Sequence, residues 1–199
     1  MKKVTREFVT LRQPKSTYKL MVISGVDRSR IYEGEDDCYD NVMREIKGQP
    51  DLMVCSGWLV GPYNEELDRT MIIPWWWNVE RLESGAFRHY DITPYGADHE
   101  FEYIVDRDVI EFIKDPLNTL QSSIPDPIEY SDGVFYSVDL EAGKKTALGD
   151  LSLKSIFYSV RRAVITLPTG SGVDLKMLNS GLGVDLSKTV PRGNINLSI

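Results

Sequence analysis

Hydrophobic positions change their period several times along the chain. Between Asp36 and Pro50 the apolar side chains Tyr39, Val42, Met43 and Ile46 recur at intervals of three and four, the spacing of an amphipathic helix. Asp36 or Asp37 stands where an N-cap belongs, and Gly48 with Pro50 stands where the helix must stop. Elsewhere the pattern is that of strands. Residues 4–11 and 17–24 carry β-branched, strand-like runs, and further short strands are predicted from Leu52 to Val60, Thr70 to Val79, Ala86 to Thr93 and Phe101 to Asp106. Gly61-Pro62, Glu83-Ser84-Gly85 and Pro94-Tyr95-Gly96 punctuate them as turns. The last third predicts a short helix from Asp108 to Lys114, a strand from Val134 to Leu140, a helix capped by Asp150 and running through Arg162, and a strand from Ala163 to Leu167. A helix followed by antiparallel strands is an α+β order, with a helix bearing Cys38 packed on an antiparallel sheet. Residues 1–167 form one domain in this reading. The glycine-rich stretch 168–199 is a C-terminal tail, either flexible or docked on a partner. Leu175, Met177, Leu178 and Leu182 give that tail an apolar patch through which a homo-oligomer can form.

Charge narrows the classes of partner. The 199 residues carry 23 Lys and Arg against 30 Asp and Glu, a net charge of -7. Residues 1–30 sum to +6, residues 31–149 to -16 and residues 150–199 to +3. An acidic middle argues against a phosphate-backbone binder, since nucleic-acid affinity rests on a basic surface that releases counterions. Such a block attracts a cationic ligand or a basic partner protein, or is simply a solvated face. No apolar run approaches the roughly 20 residues that span a bilayer, so no membrane partner is expected. Lys2 and Lys3 precede no apolar run of the kind a secretory signal has, so the expected location is cytoplasmic, with Cys38 and Cys55 as free thiols. No phosphate-cradling glycine motif is present, and the two histidines and two cysteines lack metal-ligand spacing, so neither a cofactor nor a metal is expected.

Three local features bear chemistry. Cys38 sits in the opening turn of the predicted helix, where the helix dipole and free N–H groups favour a thiolate. Glu33, Glu35, Asp36, Asp37 and Asp40 crowd it and push the other way. Trp75-Trp76-Trp77-Asn78 lies on a strand, so Trp75 and Trp77 face one side and Trp76 the other. In Phe87-Arg88-His89-Tyr90-Asp91 the same alternation puts His89 and Asp91 on one face, an imidazole and a carboxylate within reach of one site.

Cys38 followed by Asn41, the strand Ser56-Gly57-Trp58, the strand Trp75-Trp76-Trp77-Asn78-Val79-Glu80 and the strand Asp91-Ile92-Thr93 together resemble, over residues 35–106, the order of transglutaminase-like and papain-like cysteine hydrolases. The resemblance implies Cys38 as nucleophile, Asn41 as the helix asparagine and Asp91 as the orienting acid. It places Trp75 where the family has its catalytic histidine. An indole N–H only donates, so His89 on the neighbouring strand has to supply the base. The activity implied is that of an amide or acyl hydrolase or transferase, with Trp58, Trp75, Trp76, Trp77, Asn78 and Asn41 lining the cleft for a small-molecule or peptide substrate. The alternative is a non-catalytic binding module on the same scaffold, recognising a small ligand or a basic partner protein. Its size and acidity resemble those of viral or bacterial accessory proteins, which implies inhibition of a host factor.

Overall fold

The computed structural model describes residues 1–30, 38–95, 99–110, 125–140 and 142–156. They comprise α1 (Lys3–Arg12), β1 (Met21–Ile23), α2 (Cys38–Glu45), β2 (Leu52–Val60), β3 (Arg69–Arg81), β4 (Phe87–Tyr90), β5 (Glu102–Val105), β6 (Ile128–Ser131), β7 (Val134–Asp139) and β8 (Lys144–Ala147). The strands form one antiparallel sheet in the order β1-β5-β2-β3-β6-β7-β8, with β4 beside β3. The fold class is therefore α+β, with the Cys38 helix packed on the sheet.

The 13-residue strand β3 organises the sheet. Along one edge it pairs with β2 from Ile72 to Glu80. Along the other it is shared: β6 takes residues 69–72 and β4 takes residues 78–81. Between them residues 73–77 have no partner strand on that edge among the described residues, and Pro74, which has no N–H to give, falls in this gap. Gly57 of β2 is required by the close approach of β5, since a Cβ there would lie 1.9 Å from the Ile104 carbonyl oxygen.

The first helix corrects the strand expected at residues 4–11. Val4, Thr5 and Val9 raise the β-branched content, but the buried positions Val4, Thr5, Phe8 and Arg12 recur at helical spacing. No side chain of its own caps this helix. The Glu102 carboxylate of β5 does so instead, accepting from the Lys2 backbone N–H at 2.9 Å and from the Thr5 hydroxyl. Phe8 then packs edge-on against Trp58 at 5.4 Å and Phe135 at 5.9 Å, anchoring α1 on the sheet. Full burial of such a ring contributes roughly 1.5–3 kcal/mol.

Two strands were not expected. β6 joins β7 through Asp132-Gly133, both with positive φ (51° and 78°), the two-residue hairpin turn that Asp-Gly favours. β8 is a lysine-bearing edge strand, and that polarity hides it from a hydrophobic pattern. Helix α2 ends as expected, with Gly48 in the left-handed region at φ 83°. Residues 153–156 are helical, and Ser152 caps them: its Oγ accepts from the Ser155 N–H at 3.1 Å, while Asp150 instead holds the Ser152 N–H at 2.6 Å. Residues 108–110 are helical too. The remainder of both helices, the strand at 163–167, the caps at Asp36 and Asp37 and the tail 168–199 lie outside the described residues.

Candidate functional site

Alternation along β3 places the tryptophans as their spacing predicts. Trp75 pairs with Gly57 and Trp77 with Cys55 on one face, and Trp76 pairs with Ser56 on the other. All three are buried, at 4%, 0% and 0% exposure, so none offers an open ring to solvent. Hairpin β3–β4 sets His89 opposite Val79, one position along the same face from Trp77. The Trp77 indole N–H donates to His89 Nδ1 at 2.9 Å. Burial lowers the pKa of the half-buried imidazole, so the ring is neutral at pH 7. With Nδ1 accepting, the ring proton is assigned to Nε2.

Asp91, one residue past β4, is fully buried and equally engaged. Its Oδ2 accepts from the Trp75 indole and from the Tyr103 hydroxyl, each at 2.8 Å, and its Oδ1 accepts from the Thr93 N–H at 3.0 Å. His89 and Asp91 share no hydrogen bond. Tyr103, which no spacing in the sequence singles out, is the residue that joins β5 to this cluster. Its ring meets Trp77 edge-on at 5.3 Å, and its hydroxyl is held protonated: burial, then the charge and hydrogen bond of Asp91, then Cys38 all push its pKa up.

Cys38 opens α2 with its side chain buried at 6% exposure. The helix meets β3 through Tyr39, edge-on to Trp76 at 5.6 Å, and Asn41 donates to the Thr93 hydroxyl at 3.5 Å. Asn41 also accepts from Arg44, so it serves the seat of its own helix. Tyr103 thus bonds Asp91 and feels the charge of Cys38, while His89 turns its Nδ1 to Trp77. The second thiol, Cys55, is pushed up to about 12 by burial.

Trp58 lies apart from this group. Its indole donates to Asp106 at 2.9 Å, and Asp106 also takes the buried Arg12 guanidinium at 3.0 Å. Arg12 reaches Asp108 at 3.2 Å as well. Trp58 therefore belongs to a structural clasp between α1 and the end of β5. Asn78, two positions past Trp76 on the same face of the strand, is fully buried, and neither polar atom of its side chain is hydrogen-bonded among the described residues.

A groove of about 540 Å³ lies toward the other end of β3. Leu59, Met71, Ile73, Tyr95 and Phe101 give it apolar walls, and Arg69, His99 and Glu129 are its ionisable lining, Glu129 being paired with Lys145. Tyr95 connects it to the cluster above, since its ring packs on Trp75 at 5.5 Å. Its volume falls in the range usual for small-ligand sites, about 300–1,000 Å³. Among the described residues no three His, Cys, Asp or Glu side chains gather as a metal site, and no helix is long and apolar enough to cross a membrane. Comparison with family models, with curated proteins and with solved structures gives no match.

Proposed function

We propose that the chain is a non-catalytic binding module on a papain-like or transglutaminase-like scaffold, and that it takes a small ligand in the groove beside Tyr95. The observation that carries this reading is the pair of indole bonds, Trp77 to His89 Nδ1 and Trp75 to Asp91 Oδ2. A Cys/His/Asp triad needs the acid to accept the imidazole N–H while the second ring nitrogen faces the thiol with a free lone pair. In this cluster Nδ1 is an acceptor, so Nε2 carries the proton and has no lone pair for a thiol proton. The acid is occupied by an indole and a phenol. Both catalytic partners have been turned into hydrogen-bond acceptors for tryptophan.

The groove offers a ligand of apolar body aromatic and aliphatic walls, and an anionic end the guanidinium of Arg69, exposed and in no salt bridge among the described residues, while the lining carboxylate Glu129 is already paired with Lys145. The test uses 8-anilinonaphthalene-1-sulfonate as probe, titrated by fluorescence into the full chain. Wild type and Cys38→Ala should bind it equally, and Ile73→Glu should weaken binding at least about tenfold, roughly 1.4 kcal/mol. Iodoacetamide at pH 6.5 should leave Cys38 and Cys55 unmodified alike. Selective alkylation of Cys38, with ester hydrolysis that Cys38→Ala abolishes, would sink the binding reading and restore the hydrolase.

A further inference from the structure

Four tryptophans lie in the sheet, and three have their indole N–H taken by the protein: Trp58 by Asp106, Trp75 by Asp91 and Trp77 by His89. Trp76 is as deeply buried as any of them, and its Nε1 has no partner among the described residues. Two residues further along the same face of β3, Asn78 is fully buried with Nδ2 and Oδ1 both unpartnered among the described residues. Buried polar atoms with no partner are rare in folded proteins, because each gave up hydrogen bonds to water on folding. Three of them on successive same-face positions call for one explanation.

Their chemistry is complementary to a water molecule. Trp76 Nε1 and Asn78 Nδ2 have donors to offer and Asn78 Oδ1 an acceptor, a set that a molecule able to accept twice and donate twice can serve, and buried waters typically make about three such bonds. Same-face residues two apart on a strand lie about 6.6 Å from each other, and a water about 2.9 Å from each of two partners spans a similar distance. Trp76 lies where α2 packs on β3, with Tyr39 against its ring and Val42 fully buried. We propose that Trp76 Nε1 and the Asn78 carboxamide hold an enclosed water at the α2–β3 joint. With both side chains fully buried, this water exchanges with bulk only when α2 lifts from the strand. Its residence time therefore reports the opening of the helix that carries Cys38.

The four indoles make the test internally controlled. In the ¹⁵N-labelled full chain, the indole N–H signals are assigned by single Trp→Phe variants and examined for dipolar contact with water. Cross-peaks of opposite sign in laboratory-frame and rotating-frame experiments identify a bound water and separate it from proton exchange. Trp76 Hε1 should show that contact, and Trp58, Trp75 and Trp77 should not. Absence of the cross-peak at Trp76, or equal cross-peaks at all four, would overturn the proposal. Asn78→Leu should abolish the Trp76 contact and leave Tm unchanged or lower. A raised Tm would mean that the amide had been buried dry, and would overturn the proposal too. An organic molecule retained on the chain in native mass spectrometry, and lost in Asn78→Leu, would replace water by that ligand and likewise overturn it.

Discussion

At the level of single residues the decisive groups are two indole N–H bonds. The Trp77 bond makes a pH prediction with a definite sign. Burial holds the folded imidazole of His89 below its ordinary pKa of 6.5, while in the unfolded chain it returns there. The unfolded state therefore takes up a proton first as pH falls. Stability contributed by neutral His89 is full above pH 6.5 and is lost as pH drops through the folded pKa. Protonation of Nδ1 also turns the acceptor of the Trp77 bond into a donor. Urea midpoints should fall between pH 7.5 and 5.5, and His89→Asn, which keeps an acceptor near Nδ1 but does not titrate, should flatten that part of the profile. An unchanged slope in His89→Asn would show that another group carries it. Strand alternation is enough to place Trp75 and Trp77 opposite Trp76 and to bring His89 and Asp91 to the same region. What it misses is the partner of each. Tyr103 reaches Asp91 from β5 and Trp75 from β3, contacts set by sheet order that no local spacing encodes.

At the level of elements, two joints hold the sheet and its first helix in register. Gly57 lets β5 close on β2, and the 1.9 Å clash of any Cβ with the Ile104 carbonyl involves backbone that cannot swing away. Gly57→Ala should therefore break the β2–β5 ladder rather than trim it. The expected loss is on the order of 3 kcal/mol or more, as for other severe core overpacking, read as a fall in the urea midpoint. Full retention of stability would mean that β5 can retreat. The second joint is the Arg12–Asp106 pair, at 1% and 0% side-chain exposure, with Asp108 alongside. Arg12→Met leaves Asp106 buried without its cation, and removal of one partner of a buried pair costs about 3–5 kcal/mol. Asp106→Asn in the same background should recover part of that, because it removes the stranded charge; failure to recover would assign the cost to packing of the Arg12 stem. The same residue explains why the sequence of α1 resembles a strand. A buried arginine counts as polar in any hydrophobic pattern, so the fourth point of the helical face, after Val4, Thr5 and Phe8, is invisible there. β2, β3 and α2 are legible because their cores are apolar and glycine or proline follows them, and β5 because Tyr103-Ile104-Val105 is an apolar run ended by Asp106-Arg107-Asp108. β8 is not, because edge strands are kept polar to prevent further pairing.

Across the whole molecule the ionisable groups of the sheet set a limit on the alkaline side. Burial pushes Cys55 from 9.0 up to about 12, and burial with the charges of Glu45 and Glu80 pushes Tyr90 from 10.0 up to about 12. Tyr130 is raised to about 12 as well, chiefly by its hydrogen bond to Glu7, and Tyr103 is raised further by burial and Asp91. All are acids whose folded pKa lies above the unfolded one, so the unfolded chain releases protons first. Stability is full below about pH 9 and falls from there toward pH 12, with a slope of at most about 1.4 kcal/mol per pH unit for each suppressed group. The net charge of -7 at pH 7 acts in the same direction, since every further ionisation adds to self-repulsion. The two contributions are compared in Cys55→Ala, which removes one of the two thiols, the earliest of these acids to titrate in the unfolded state, while leaving the charge at neutral pH unchanged. Urea midpoints at pH 8, 9, 10 and 11 should decline in wild type from pH 9, and in Cys55→Ala less steeply between pH 9 and 10, before the unfolded tyrosines begin to ionise. Tyrosinate absorbance at 295 nm should show a fraction of the tyrosines ionising only as the chain unfolds. A wild-type midpoint that stays level to pH 11, or a Cys55→Ala profile as steep as wild type between pH 9 and 10, would mean that the buried Cys55 thiol does not contribute to the alkaline limb.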